Sequence, residues 1–140
     1  MNANPNHIFI DTNVFIGAIV GLEQDIKCLK YIYSLKGKRI YTSSLAIAQI
    51  VAKFQKKYTR EMLVAEIKRI TTKCNIISFS ASDIDSAMKI EQQDMEDNIQ
   101  YIISSKLKCF HFVTNNIKDY KDFNNINAIK PSKIRNIFDY

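Results

Sequence analysis

The chain has 140 residues, of which 46% are hydrophobic and 24% charged, so its composition provides a core for one domain and excludes intrinsic disorder. Three widely spaced cysteines, Cys28, Cys74 and Cys109, form no CxxC pair, which argues against a disulfide framework or a structural zinc site. The longest apolar run, Val14 to Leu22, is about half of the ~20 residues that span a bilayer. We therefore expect a cytoplasmic protein with no membrane segment and no signal peptide.

The formal net charge of +6 is unevenly distributed along the chain. Six of the 14 acidic residues and a single base lie between Asp83 and Asp97, whereas seven bases and two acids lie between Lys53 and Lys73. An acidic pocket with basic surroundings suits a metal-dependent enzyme that acts on a polyanion. Two ordinary solvated helix faces explain the same charges equally well.

Short apolar strands alternate with helical patterns along the chain. The predicted strands are His7–Asp11, Arg39–Thr42, Asn75–Phe79, Phe110–Thr114 and Asn127–Lys130. The predicted helices are Val14–Val20, Glu23–Lys36, one that Ser43 or Ser44 caps and that ends near Tyr58, one from the cap Thr59 to Thr72, one from the cap Ser82 to Gln92, Asp94–Lys108, a short turn after Asn116 and a terminal helix from Pro131. This alternation predicts right-handed crossovers and a mainly parallel sheet with helices on both faces, in a single domain over residues 1–140.

Polar side chains follow three of the predicted strands at their carboxyl ends, where parallel α/β sheets gather functional groups. The first strand ends at Asp11, Thr12 and Asn13, the second at Thr42, Ser43 and Ser44, and the fourth at Thr114, Asn115 and Asn116, with Asp119 just beyond. The helix that begins at Asp94 presents Glu96 and Asp97 in its first turn, and we expect them at the same edge.

Converging carboxylates are costly unless a cation lies between them, and oxygen ligands favour Mg²⁺ or Mn²⁺ over zinc. Such a metal lowers the pKa of a bound water and neutralises charge at a scissile phosphate. At most of these positions a structural role explains the residue as well. Asp94 and Ser43 are typical helix caps, and the helix dipole favours an acid at Asp97. Glu96 is explained as a side chain that faces water, and the turn residues are Asp119, Thr114 and Asn116. Asp11 has no structural role beyond capping the following turn, which favours a functional one.

Four segments of the chain together resemble the PIN-domain family, and within it the small VapC-like toxin ribonucleases. They are IFIDTNVFI at Ile8–Ile16, YTSSLAIAQIV at Tyr41–Val51, DMEDNIQYIIS at Asp94–Ser104 and FVTNNIKDY at Phe112–Tyr120. The segments follow the family order and anchor nearly the whole chain. The most specific feature is a D-x-E-D helix followed by a strand that ends in T-x-N-x-x-D.

The resemblance implies a PIN-like three-layer α/β/α domain and a divalent-metal-dependent endoribonuclease that hydrolyses RNA phosphodiesters. By resemblance, the catalytic carboxylates that bind Mg²⁺ or Mn²⁺ are Asp11, Asp97 and Asp119, and Asp94, Glu96 and Gln49 are further candidate ligands. The candidates for contacting substrate or supporting these ligands are Thr12, Asn13, Ser43, Thr114, Asn116 and Lys118. The family also implies the toxin component of a type II toxin-antitoxin pair, with an antitoxin protein that inserts a segment into the acidic site and with a homodimer.

One position departs from the family pattern. The helix glutamate of a pattern like SSLxxAE aligns with Gln49, whose amide offers a metal an oxygen but neither charge nor a general base. Three interpretations remain open. The site works with Asp11, Asp97 and Asp119, helped by Asp94 or Glu96; or it binds one metal instead of two; or the domain is catalytically degenerate and binds RNA or a protein.

Two other classes of α/β protein also begin with a strand that ends in Asp. A phosphoryl-transfer hydrolase usually has a second Asp two residues after the first, where this chain has Asn13. A receiver domain has a paired acid before its first strand and a phosphoacceptor Asp at the end of a later one. Neither pattern appears in this sequence.

Overall fold

Five parallel strands form the central sheet, in the order β3-β2-β1-β4-β5. In the computed structural model, which describes residues 3–91 and 94–138, they are β1 (Asn4–Ile10), β2 (Arg39–Ser43), β3 (Asn75–Ile77), β4 (Cys109–Val113) and β5 (Asn127–Ile129). Every predicted strand is present, although β1 begins three residues early and β3 ends two residues early. This order places β1 at the centre of the sheet, between β2 and β4.

Helices connect the strands on both faces of the sheet. They are α1 (Thr12–Ile19), α2 (Glu23–Ser34), α3 (Ser44–Phe54), α4 (Arg60–Ile70), α5 (Ala81–Met88), α6 (Met95–Lys106), α7 (Ile117–Tyr120) and α8 (Arg135–Phe138), with a 3₁₀ turn at Pro131–Lys133 before α8. α1 begins earlier than the expected Val14 because the Asp11 side chain caps it by accepting from the backbone N–H of Thr12. None of the helices in the described residues is long and apolar enough to cross a membrane.

Alternate side chains of β1 point to opposite faces of the sheet, and each face packs against its own layer of helices. Ile8 and Ile10 lie in a core with residues of α1 to α4. Phe9 lies in a second core with residues of α5 to α7 and stacks on Phe112, with 5.1 Å between ring centroids. All three β1 side chains are fully buried, and each such burial contributes about 1.5–3 kcal/mol. The three-layer α/β/α fold class is thereby confirmed.

Helix α5 is capped by Ser80, so the predicted cap Ser82 is wrong. Ser80 Oγ accepts the backbone N–H of Asp83 at 3.3 Å, and Asp83 Oδ2 accepts the backbone N–H of Ser80 at 2.8 Å. This reciprocal pair is a capping box, and Ser82 lies exposed inside the helix. Asp83 also forms an ion pair with Lys106 of α6 at 2.9 Å. The predicted helix end at Gln92 lies outside the described residues, and α5 ends at Met88.

Ser80→Ala should lower the free energy of unfolding by about 1 kcal/mol, because it leaves the first turn of α5 without its acceptor. Ser82→Ala should change that free energy by less than about 0.5 kcal/mol, since its side chain is exposed. Urea denaturation of the two variants and the wild type measures the difference. Equal losses in both variants would contradict the assigned cap.

Candidate active site

The carboxyl ends of β1, β2 and β4 meet at one edge of the sheet. Asp11 lies between β1 and α1, Ser43 ends β2, and Thr114 follows β4. The backbone N–H of Asp11 donates to the carbonyl oxygen of Val113 at 2.9 Å, which continues the parallel pairing of β1 with β4 to the ends of both strands. The predicted grouping of polar strand ends is therefore present.

The Asp11 carboxylate is buried and accepts hydrogen bonds from four groups. Oδ1 accepts from the backbone N–H of Thr12 at 2.8 Å and from Gln100 Nε2 at 3.4 Å. Oδ2 accepts from Asn13 Nδ2 at 3.0 Å and from Thr114 Oγ1 at 2.8 Å. Burial raises the pKa of this carboxyl, and the hydrogen bonds oppose the rise. Within the described residues, no Lys, Arg or His forms an ion pair with it.

Asp97 contributes a second carboxylate from the first turn of α6. Its backbone N–H donates to Asp94 Oδ1 at 3.0 Å, which identifies Asp94 as the N-cap of the helix. The Tyr120 hydroxyl donates to Asp97 Oδ1 at 2.9 Å. Burial raises the pKa of Asp97 to about 6; the hydrogen bond from Tyr120 opposes this rise, and the charges of Asp94, Asp11 and Asp119 add to it. A nearby cation would therefore favour the ionised form of Asp97.

Gln49 lies half-buried on α3 and connects α1 with α6. Its Oε1 accepts a hydrogen bond from Thr12 Oγ1, and its Nε2 donates to Glu96 Oε2. The amide therefore satisfies a carboxylate without any cation. A glutamate at this position would instead place two carboxylates together, an arrangement that needs a cation between them.

Gln100 is a buried residue of the site that sequence reasoning missed. Its Nε2 donates to Thr12 Oγ1 at 3.0 Å as well as to Asp11, and its Oε1 accepts from Ser43 Oγ. Ser43 also caps α3 by accepting the backbone N–H of Ala46 at 3.1 Å. Ser43 thus holds Gln100 in place from below the site. The available signal was the spacing of Gln100, three residues after Asp97, which places both on one helix face.

A cavity of about 510 Å³ lies among these groups. It brings together seven predicted site residues with Ile16, Ala52 and Lys53, the seven being Asp11, Thr12, Asn13, Gln49, Glu96, Asp97 and Asn116. Lys53 adds a base at the end of α3, next to the exposed Lys56 and Lys57. The cavity therefore combines acidic residues with a basic neighbour.

The remaining predicted site residues do not line the cavity. Thr114 is buried beneath it, where its Oγ1 donates to Asp11 and accepts from the backbone N–H of Asn116 at 3.0 Å. Lys118 and Asp119 are exposed on α7, and Asp119 acts on Asp97 through its charge. In residues 3–91 and 94–138, no three Asp, Glu, His or Cys side chains form a group that could hold a metal ion. The structure thus brings Asp11 and Asp97 together at the cavity but not Asp119.

Tyr120 is the second residue that sequence reasoning missed. Its ring is almost completely buried and packs on Phe112, with 4.3 Å between centroids, while its hydroxyl holds Asp97. The tyrosine belongs to the core, but its polar end reaches the site.

A parallel three-layer α/β/α domain with carboxylates at the carboxyl edge of its central strand is the architecture of the PIN domain. The family model of the PIN domain matches residues 8–104, which is more than half of the chain. The chain therefore belongs to the PIN-domain family, as the four sequence segments indicated.

Solved structures of similar fold come from toxin-antitoxin systems. The chain is similar to VapBC2 from Rickettsia felis bound to a DNA fragment from its promoter (TM-score 0.72, 20% identity, 89% of this chain and 98% of that chain). It is also similar to VapBC-1 from nontypeable Haemophilus influenzae (0.70, 15%, 91% and 99%) and to a toxin-antitoxin complex from Klebsiella pneumoniae (0.67, 16%, 89% and 97%). At these identities the likeness shows the fold. A search of the curated proteins found no match.

The raised pKa of Asp97 should make the metal-free protein less stable as the pH rises. Because the folded-state pKa of about 6 exceeds the usual 3.8, the contribution of Asp97 to stability is complete below about pH 4 and is lost as the pH rises through about 6. Asp97→Asn removes the charge and keeps an acceptor for Tyr120. Between pH 5 and 7.5 in EDTA, we expect the wild type to lose on the order of 1 kcal/mol more stability than this variant.

Urea denaturation of both proteins across this pH range measures the effect. If the free energy of unfolding changed equally with pH in both proteins, the ionisation of Asp97 would not be the cause of the expected loss of stability.

Proposed function

We propose that this PIN-domain protein is a divalent-metal-dependent endoribonuclease that hydrolyses RNA phosphodiesters. The observation that carries the proposal is a pair of carboxylates, Asp11 and Asp97, at one cavity, both with raised pKa and neither in an ion pair within the described residues. Carboxylates in this situation favour a cation between them. Membership of the PIN-domain family supports the nuclease class.

The donors around the cavity fit Mg²⁺ or Mn²⁺. The ligand atoms that Asp11, Asp97 and Glu96 offer are carboxylate oxygens, and none of the described residues that line the cavity is a His or Cys. Asp11 and Asp97 would hold the ion, with Glu96 and Gln49 as further oxygen donors at the cavity. Asp94 and Asp119 do not line the cavity, and in this proposal they add negative charge near Asp97. The four hydrogen bonds to Asp11 hold its oxygens in one orientation before any metal binds.

The residues around the candidate metal site orient its ligands and attract the RNA substrate. A bound divalent cation supplies Lewis-acid chemistry, which makes a water more acidic and offsets charge at the scissile phosphate. Thr12, Asn13 and Thr114 keep Asp11 oriented, while Tyr120 orients Asp97. Lys53 at the cavity, with the exposed lysines after α3 and Lys118 on α7, attracts the RNA backbone without reading its bases. Asn116 contacts the substrate from the cavity wall.

The biological role that we propose is the toxin component of a type II toxin-antitoxin pair. The solved structures of similar fold are VapBC and toxin-antitoxin complexes, and they align with about nine-tenths of this chain. This likeness supports an antitoxin protein as a partner. Our proposal is that a segment of this partner inserts into the acidic cavity. A homodimer and a cytoplasmic location belong to the same proposal.

Gln49 supports a second candidate function, a catalytically degenerate domain that binds RNA or a protein. The amide adds no negative charge, and its hydrogen bond to Glu96 satisfies that carboxylate without a metal. In this case the basic surroundings of the cavity still attract RNA, but cation affinity is too low for cleavage.

Asp11→Asn should abolish cleavage, because it removes charge from the best-oriented carboxylate. A pool of structured and unstructured RNAs, incubated with Mg²⁺, Mn²⁺ or EDTA, should be cut by the wild type only with metal. The variant should lose at least about 100-fold in rate, beyond the loss typical of a supporting residue. Asp85→Asn, which changes an exposed acid on α5, is the matched control and should cut normally. RNA binding without cleavage under all conditions would contradict the nuclease and favour the binding module.

Gln49→Glu should make stability depend on metal. Without metal, a carboxylate at position 49 should lower the melting temperature, because it would lie beside the Glu96 carboxylate and the two negative charges would repel each other. Mg²⁺ or Mn²⁺ should restore it, and metal affinity should exceed that of the wild type. Thermal denaturation with a metal titration, together with the cleavage assay, measures both effects. If the melting temperature of Gln49→Glu did not change with added Mg²⁺ or Mn²⁺, position 49 would lie outside the metal site.

A further inference from the structure

Asp25 is a fully buried carboxylate that the proposed reaction does not use. It lies in the first turn of α2, where its Oδ1 accepts a hydrogen bond from Asn115 Nδ2 at 3.0 Å. Its Oδ2 has no hydrogen-bond partner among the described residues. A buried carboxylate with an unsatisfied oxygen costs stability, so core packing does not account for an acid at this position.

Helix α1 leaves room for this carboxylate at Gly17. A Cβ added to Gly17 would lie 1.7 Å from Asp25 Oδ2 and 2.6 Å from Asp25 Cγ. The space that a side chain would fill on α1 is therefore occupied by the carboxylate itself. Because Asp25 is completely buried, any side chain at position 17 would push it away from Asn115.

A chain of direct hydrogen bonds leads from Asp25 to Asp11. The Asn115 side chain donates to Asp25, and the backbone N–H of Asn115 donates to Asn13 Oδ1 at 2.9 Å. Asn13 Nδ2 then donates to Asp11 Oδ2 at 3.0 Å and to Thr114 Oγ1 at 3.2 Å. These contacts connect α2 and the loop after β4 with the candidate metal ligand.

Among the described residues, the Asn115 side chain has one other hydrogen-bond partner, and that bond is weaker. Gln24 Nε2 donates to Asn115 Oδ1 at 3.3 Å from an exposed position, where water competes for the same groups. The bond to Asp25 is shorter, shielded from water and directed to a carboxylate, and such bonds are stronger than those between neutral groups.

We infer that Asp25 is a positioning residue for the metal site. It anchors the loop after β4 through Asn115, and the anchored loop holds Asn13 and thereby the orientation of Asp11. The inference rests on the proposed function, because Asp11 is taken to be a metal ligand.

The test uses two variants that remove the same link from opposite ends, Asp25→Ala and Asn115→Ala. Each should weaken Mn²⁺ binding about tenfold, the lower end of the range for residues that orient a ligand. Each should lower kcat for RNA cleavage with little change in KM. The double variant should bind Mn²⁺ no more weakly than either single one. Isothermal titration with Mn²⁺ alone and steady-state kinetics measure these quantities.

Two further variants separate positioning from stability. Asp25→Asn keeps an oxygen acceptor for Asn115 and should restore most of the Mn²⁺ affinity. Gly17→Ala should reproduce the Asp25→Ala loss, because the new Cβ displaces the carboxylate. The matched control is Cys28→Ala, a buried position one turn further along α2, which should lose stability without losing Mn²⁺ affinity.

Hydrogen exchange of the Asn115 backbone amide adds a measurement that needs neither metal nor RNA. Asp25→Ala should lower the protection of this amide by about tenfold or more, because the loop loses its anchor. If the wild type binds no Mn²⁺ but protection still falls, the metal proposal fails, while the anchoring of the loop after β4 by Asp25 stands. Unchanged protection and unchanged Mn²⁺ affinity in folded Asn115→Ala, or additive losses in the double variant, would overturn the inference.

Discussion

The burial of the Asp11 carboxylate is the constraint on which the rest of the site depends. Helices cover both faces of β1, and Ile8, Phe9 and Ile10 pack against them. Asp11 directly follows this buried strand and is therefore also shielded from water. A buried carboxylate needs donors to replace its hydration. They come from the turn into α1, from α6 and from the end of β4. Since the four donors come from three different parts of the fold, a change in the packing of any of these parts also disturbs the carboxylate.

Local patterns predicted the fold and the polar strand ends of the candidate site. Periodicity located the strands and helices, and the parallel topology then brought their polar ends to one edge, as Asp11, Thr12 and Asn13 show. Where two local signals competed, the prediction failed. Ser80 and Ser82 are both typical helix caps, and Ser80 wins because Asp83, three residues on, completes a capping box with it. A search for that spacing would have distinguished the two serines.

The rest of the site depends on contacts between distant segments, which single-residue reasoning does not rank. Gln100 donates to Asp11 across 89 positions of sequence, and its only local signal is its spacing from Asp97 on one face of α6. Tyr120 resembles any core aromatic. Asp119 shows the converse, since its spacing within the family motif marks it as a ligand while α7 presents it to solvent. Gln49 lies where the family has an acid. Only the structure shows that its amide donates a hydrogen bond to the Glu96 carboxylate.

The donors around Asp11 also impose an order on biosynthesis. Thr114 donates to Asp11 across 103 positions of sequence. A nascent chain that has emerged only through α5 therefore contains β1 and β2 but neither α6 nor β4, the second strand that pairs with β1. Contacts of such high sequence separation form only after the intervening chain is available. Asp11 is therefore synthesised well before Gln100 and Thr114, two of the residues that donate to its carboxylate. A growing chain therefore carries an incomplete site until α6 and β4 have packed beside Asp11.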